Sequence, residues 1–574
     1  MKKHQRLVSA IVVNLLIFLS VLSPALASDT RDIASRVDEL FAAWNSDDQP
    51  GAVVAVIQNG QIIYQKGYGM ADLERGVPIT TESAFEIGSI SKQFTAMCIL
   101  LLENDDMLGL DDDIRTYIPE MPEYERRITL RHLLHHTSGV RDIEALLPLT
   151  GMSWVNYYTD DYMLGLITRQ KALNFVPGEQ FLYSNSGYIL LAQVVSRVSG
   201  QSLRDFAQER IFGPLGMEHS VFWDRPGQIV PNRALAYSPQ GENGYKLEMW
   251  NMPFVGPAGL YSTVGDLALW DANFYENKLG GGAELIEKME TPGLLDNGES
   301  TGYAAGLIVK THGGLPVLTH DGAWMGYRGF MRRFPGQHVT ITVLSNVASL
   351  DVRVGWIANL FLADDFVPSE QPSGEFVSPT AIELEAAELS RYEGTYWNDS
   401  DSLLRTIVIR DGRLHYLRSN GDATELGAVE TGRFFMVGLQ TPVSVEFHGS
   451  GESCSMMVVV GDQAPQLFEP LPELSDDALT AFCGVYWSDD LRRELQVNTE
   501  GNNIVATWVD EQNTTVGRLV RTDDILLRQF VPIPWNPMDT RLRFERDNTG
   551  DITGLSLSCD MVRGVLFKKR TKPQ

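Results

Sequence analysis

Ser89 and Lys92 stand three residues apart at the start of the run FEIGSISKQFTAMCILLLE, residues 85–103. On a helix this spacing puts a hydroxyl and an amine on one face, one turn apart. Phe94, Cys98, Leu101 and Leu102 fall at i, i+4, i+7 and i+8, so the helix enters an apolar core with both polar groups at its mouth. A serine hydroxyl at its resting pKa is a poor nucleophile and needs a base. A lysine amine serves as that base when desolvation lowers its pKa, which an apolar helix entrance supplies. The pair therefore points to nucleophilic catalysis by serine.

A Ser-x-x-Lys alone carries little weight, since average composition places roughly two in a chain of this length. Two further stretches bear on it. Tyr183, in PGEQFLYSNSGYILLAQVV, offers a phenol able to relay a proton to a leaving group, although taken alone it is an ordinary half-buried tyrosine. His320, Asp321 and Gly322 form HDG in the strand-like LPVLTHDGAWMGYRGF. Competing constellations are weaker. GESTG, residues 298–302, fits the Gly-x-Ser-x-Gly elbow around Ser300, but that motif needs a strand before and a helix after, and here the strand-like YAAGLIV follows instead. His132, His135 and His136 in RHLLHH have ligand-like spacing but lack the glutamate of His-Glu-x-x-His and a third ligand, so neither a metal nor another cofactor is expected.

These residues have to be positioned by a large chain. Its 574 residues, 44% of them apolar, predict two or three folded units. Acidic residues outnumber basic ones, 74 to 47, giving a net charge of -27, which argues against nucleic acid or an anionic membrane as partner. The first 27 residues, with Lys2, Lys3 and Arg6 before an apolar run and Ala25-Leu26-Ala27 after it, predict a secretory signal peptide and a periplasmic or secreted protein. No cysteine follows Ala27 to carry a lipid, and no later run reaches the ~20 apolar residues of a spanning helix, so no stable membrane anchor is expected after cleavage. Of the four cysteines, Cys98 reads as a core residue. Cys483 and Cys559 lie near the first and last strands of the final module and are expected to pair, leaving Cys98 and Cys454 free.

Around the chemistry, the apolar pattern predicts a helix in RDIASRVDELFAAWN, with Ile33, Val37, Leu40, Phe41 and Trp44 on one face. AVVAVIQNGQIIYQKGYG predicts a hairpin turning at Asn59-Gly60. Strand-like runs return only after about residue 300. Strands from both ends of the unit would then form one antiparallel sheet with helices packed on it. Residues 367–380 are rich in Pro, Ser and Gly and read as a linker. Beyond them LSRYEGTYW at 389 recurs as LTAFCGVYW at 479, a period of 479 − 389 = 90 residues. Short alternating strands in each copy predict two small antiparallel β-barrels, at 381–472 and 473–574.

Jointly, SISK, YSN and HDG, in that order, resemble the three motifs of the penicillin-recognising serine hydrolases, the group of class C β-lactamases, D,D-carboxypeptidases, class VIII esterases and D-aminopeptidases. LGLDDDIRTYIPEMP, ITLRHLLHHTSGV and PAGLYSTVGDLALW are similar to that family's sequences, and the resemblance spans about residues 31–362. It implies an α+β catalytic domain of the β-lactamase and penicillin-binding type over residues 28–366. The two C-terminal modules, lipocalin-like barrels by this reading, resemble those of D-aminopeptidases, where such a module reaches the catalytic cleft. Carried over by position, the resemblance implies that Ser89 is acylated, Lys92 and Tyr183 share the proton transfers, and Asn185 holds the substrate amide. The N–H groups of Ser89 and Ala323, just after Gly322, would form the oxyanion hole. His320 departs from the lysine often found there, and histidine is only partly charged near neutrality. With Asp321 adding a negative charge, a substrate with a C-terminal carboxylate suits the site less than an ester, an amide or a peptide with a free amine. The expected function is therefore an exported serine hydrolase acting on small amides or peptides, including those with D-amino acids. The alternatives are an esterase or β-lactamase on the same site, and a catalytically silent sensor of peptidoglycan fragments. The sequence leaves the oligomeric state open.

Overall fold

The computed structural model describes residues 33–570 except 153–155, 242–243, 250–251, 351–353, 367–380, 399–402, 419–421, 440–441, 450–452, 462–463, 472–478, 501–502, 509–513, 522–523, 532–537 and 560. The leader at 1–27 and the linker at 367–380 lie outside the described residues. The chain divides into two units. The first holds the described residues of Met1–Pro119, Ile128–Ser138 and Gly187–Pro368; the second holds those of Glu120–Arg127, Gly139–Ser186 and Ser369–Gln574.

In the first unit, β-branched runs at both ends meet in one antiparallel sheet, as the sequence predicts. Its strands are β1 (Ala52–Gln58), β2 (Gln61–Tyr68), β3 (Ile308–His312), β4 (Leu315–Trp324), β5 (Tyr327–Phe334) and β6 (Val339–Ser345), in the spatial order β3-β4-β5-β6-β1-β2. Asn59 and Gly60 both take positive φ, 52° and 72°, the geometry of a two-residue hairpin turn. Pro335-Gly336 instead opens a 3₁₀ turn, Pro335–Gln337, before β6. Val37, Phe41, Val54, Val56, Ile341, Val343, Ile357 and Ala358 share one core between this sheet and the helical segments at 33–40 and Val354–Phe361.

Helix α1 (Ser91–Asn104) enters the core as the spacing predicts. Every residue from Ser91 to Leu102 is buried, including Lys92, Gln93 and Thr95. A helix enclosed on all sides must satisfy its polar side chains internally. Trp270 donates to Gln93 at 3.0 Å, and Thr95 donates to the Gly256 carbonyl at 2.8 Å.

The second unit contains two closed antiparallel barrels of eight strands, spanning Gly394–Pro470 and Gly484–Lys569. The 90-residue repeat survives at atomic detail. Tyr396 donates to the Tyr392 carbonyl and Tyr486 to the Phe482 carbonyl, each at 2.8 Å. The expected Cys483–Cys559 disulfide is absent; all four cysteines are free. Strand Gly484–Ser488 does neighbour the final strand, pairing Tyr486 with Lys569, but Cys559 pairs with Val562 at the other end of that strand. Seven residues of extended chain, roughly 23 Å, separate the two ends, far beyond the reach of a disulfide. Among the described residues no helix is long and apolar enough to cross a membrane.

Candidate active site

Ser89 sits in a short 3₁₀ turn, Gly88–Ile90, that leads directly into α1. Its Oγ accepts a hydrogen bond from Lys92 Nζ at 3.1 Å, and Nζ also donates to the Pro257 carbonyl at 2.9 Å. Lys92 is fully buried, with Nζ 5.5 Å from the centre of the Tyr188 ring. The loop supplying Pro257 runs along α1, with the Leu260 N–H donating to Ser91 Oγ at 3.3 Å and the Ile87 N–H to the Leu260 carbonyl at 3.0 Å.

Glu86 was not singled out from the sequence, yet it ties this assembly together. Its carboxyl accepts from the Gly88 N–H at 3.0 Å and from the Gly259 N–H at 2.6 Å, joining the nucleophile turn to the loop that holds Lys92. Burial raises its pKa to about 8, against the two N–H bonds and the nearby Lys92 charge. FEIGS shows a glutamate beside the turn; nothing in the sequence pairs residue 86 with residue 259.

Strand β4 brings Gly322 and Ala323 against the same turn. A Cβ on Gly322 would lie 2.0 Å from the Ile87 carbonyl oxygen, and one on Gly88 would lie 2.5 Å from the Ala323 nitrogen. Only paired glycines allow so close a backbone approach. The turn that carries Ser89 and the Gly322–Ala323 backbone therefore lie directly against each other.

His320 lies on the same buried face of β4 as Gly322, while Asp321 points the other way. Its Nδ1 is 2.7 Å from the Asp321 carbonyl, which can only accept, so Nδ1 carries the proton. Nε2 is then the acceptor for the Tyr303 hydroxyl at 3.0 Å. Desolvation, with the Lys92 charge adding to it, lowers the His320 pKa to about 4, so the ring is neutral at pH 7. The negative charge expected from Asp321 is not available to the site: its exposed carboxylate is paired with Arg332 of β5. His136, buried beside Tyr303 and Tyr188, is held well below its ordinary pKa, by burial first and then by Lys92.

Tyr183 and Asn185 belong to the second unit. The Asn185 N–H donates to the Asp142 carboxylate, its Nδ2 donates to Glu144 Oε1 at 2.9 Å, and Ser184 Oγ donates to the Val140 carbonyl at 3.1 Å. Of the residues expected from the sequence, Ser89, Lys92, His320, Gly322 and Ala323 come together in one unit, and Tyr183 and Asn185 in the other.

The competing constellations dissolve. Ser300 is exposed in a short loop before β3, with no strand leading into a helix, and its Oγ accepts from the Gly302 N–H at 3.2 Å. His132 exchanges hydrogen bonds with Thr129 in a capping box at the N-terminus of the helix Leu130–Leu134, and His135 Nδ1 lies 3.1 Å from the Tyr303 carbonyl. Among the described residues no cluster of three or more His, Cys, Asp or Glu side chains is arranged to hold a metal.

A buried lysine on a serine at the mouth of an enclosed helix, beside an antiparallel sheet, defines a serine hydrolase of the β-lactamase and penicillin-binding type. The chain belongs to the Beta-lactamase family, which matches residues 33–364. It is 25% identical over 529 residues to the D-aminopeptidase of Gluconobacter oxydans, covering 91% of this chain and 96% of that protein. It is 27% identical over 449 residues to penicillin-binding protein 4* of Bacillus subtilis, covering 74% and 96%. In fold it resembles the octameric penicillin-binding protein homologue from Pyrococcus abyssi, with a TM-score of 0.54 and 24% identity over 76% of this chain and 99% of that one.

Proposed function

We propose that the chain is an exported serine hydrolase that cleaves small amides and peptides, including those with D-amino acids, through an acyl-enzyme on Ser89. The observation that carries this reading is the contact of the fully buried Lys92, through Nζ, with Ser89 Oγ at 3.1 Å. For acylation Lys92 acts in its amine form, having first released the proton it carries at rest, and takes the hydroxyl proton as Oγ attacks the carbonyl carbon; the new oxyanion is met by the N–H groups of Ser89 and Ala323. Tyr183 passes the proton to the departing amine, and Asn185 holds the substrate amide. Water, deprotonated through the same groups, then cleaves the ester and regenerates Ser89. The D-aminopeptidase relatives, matched along 91% of this chain, support amine-bearing peptides and amides as the substrate class.

The neutral His320 favours a second use of the same site, the hydrolysis of uncharged esters. A fixed cation for a substrate carboxylate is lacking at this position, which disfavours β-lactams carrying that group. The test is kcat/KM for a matched panel of D-amino acid amides, neutral esters and carboxylate-bearing β-lactams. Amides and esters are expected to lead; a preference for β-lactams overturns the assignment.

A further inference from the structure

Residues 140–142 are gripped from two sides within the second unit. On one side they hold the tyrosine–serine–asparagine segment: Ser184 Oγ donates to the Val140 carbonyl at 3.1 Å, and the Asn185 N–H donates to the Asp142 carboxylate. On the other side they are held by Met561 and the start of the final strand, Val562–Lys569, of the second barrel. The Asp142 N–H donates to the Met561 carbonyl at 3.2 Å. The Arg141 guanidinium, whose side chain is 1% exposed, donates from Nε to the Arg563 carbonyl at 3.0 Å and from Nη2 to the Gly564 carbonyl at 2.8 Å. Its remaining nitrogen, Nη1, reaches Asp490 Oδ2 in the same barrel at 3.1 Å and Gln170 Oε1 at 2.9 Å. Asn174 closes the clamp, donating to the Met561 carbonyl at 3.0 Å and accepting from the Arg563 N–H at 2.7 Å.

We propose that the second barrel is a splint for the tyrosine–serine–asparagine segment, with Arg141 and Asp490 as positioning residues. A buried guanidinium with four oxygen partners has one geometry, and losing its carboxylate leaves an uncompensated charge that must move toward water. Because the adjacent carbonyl of Val140 and carboxylate of Asp142 carry Ser184 and Asn185, such a shift passes directly into the segment bearing Tyr183. Displacing a proton-transfer group by a fraction of an ångström lowers turnover without changing which groups are present. The barrel thereby acts on catalysis while contributing no reacting atom.

This inference rests on the proton-relay role proposed for Tyr183, so its test is a double-mutant cycle in the full-length chain. Asp490→Asn keeps the shape and removes the charge; Tyr183→Phe removes the phenol. With folding checked by circular dichroism, Asp490→Asn should lower kcat on a D-amino acid p-nitroanilide by 10- to 100-fold with little change in KM. In its presence Tyr183→Phe should cost several-fold less than it does alone, because the phenol is already out of place. Asn174→Ala, which loosens the same clamp without leaving a buried charge, should move kcat in the same direction and keeps the test available if Asp490→Asn does not fold. Additive effects, or Asp490→Asn and Asn174→Ala enzymes with wild-type kcat, overturn the splint. A Tyr183→Phe enzyme with full activity overturns the relay reading instead, a separate outcome.

Discussion

The Tyr303 hydroxyl donates to Nε2 of His320, fixing the histidine as a neutral ring with its proton on Nδ1. The position therefore contributes hydrogen-bonding capacity but no charge. His320→Lys would return a cation to it. The expected result is a change of roughly tenfold, about 1.4 kcal/mol, in kcat/KM for carboxylate-bearing relative to neutral acyl donors, in favour of the former. An unchanged ratio in a folded variant would mean that position 320 does not sense substrate charge.

Acid should unfold the protein through its buried histidines. His320 and His135 are each lowered from 6.5 to about 4, chiefly by burial, and His136 is lowered well below its ordinary value by burial too. A histidine with a depressed folded pKa contributes stability that is present above its unfolded pKa and lost as pH falls through the folded one. The loss from His320 alone is on the order of 3 kcal/mol between pH 6.5 and 4. Glu86, raised from 4.5 to about 8, and Asp266, also raised by burial, work in the opposite direction, so the contribution of His320 is read from the difference between the wild type and His320→Asn. Urea titrations from pH 7 to 4 should show stability falling, less steeply in His320→Asn. Parallel curves for the two proteins would contradict the assignment.

Glu86→Gln tests the tie beneath the nucleophile turn. The amide keeps one acceptor oxygen but turns an NH₂ toward the second backbone donor, leaving a buried N–H unsatisfied at a cost of about 1–3 kcal/mol. Thermal melting should fall accordingly, and kcat should drop because the turn carrying Ser89 loosens. Wild-type melting together with wild-type kcat would show that the two N–H bonds to Glu86 do not matter.

The meeting of Ser89 and Lys92 is legible because i, i+3 spacing on a helix is local, and the hairpin at Asn59-Gly60 is legible because turn chemistry is local too. The partners that let α1 carry Lys92, Gln93 and Thr95 inside the core are not legible, because Pro257, Trp270 and Gly256 arrive from far along the chain. Glu86 and Arg141 escaped for the same reason: their partners lie 173 and 349 residues away, at Gly259 and Asp490. Asp321 was placed near the site by sequence adjacency alone. Strand alternation, with period two, sends it to the opposite face.

Tyr183→Phe preserves the ring and removes only the hydroxyl. Folding should survive while turnover falls by ~10²–10⁴, the usual loss for an acid–base group. A folded variant with unchanged turnover would make Tyr183 an ordinary packing residue.

The central claim is that Ser89 is the covalent nucleophile, and labelling it with a phosphonylating probe tests it most directly. Intact-mass measurement of the protein treated with a fluorophosphonate, followed by peptide mapping, should show one adduct on the peptide carrying Ser89. That adduct should vanish in Ser89→Ala and persist in Ser300→Ala. An adduct that survives Ser89→Ala, or that maps to Ser300, would contradict the account.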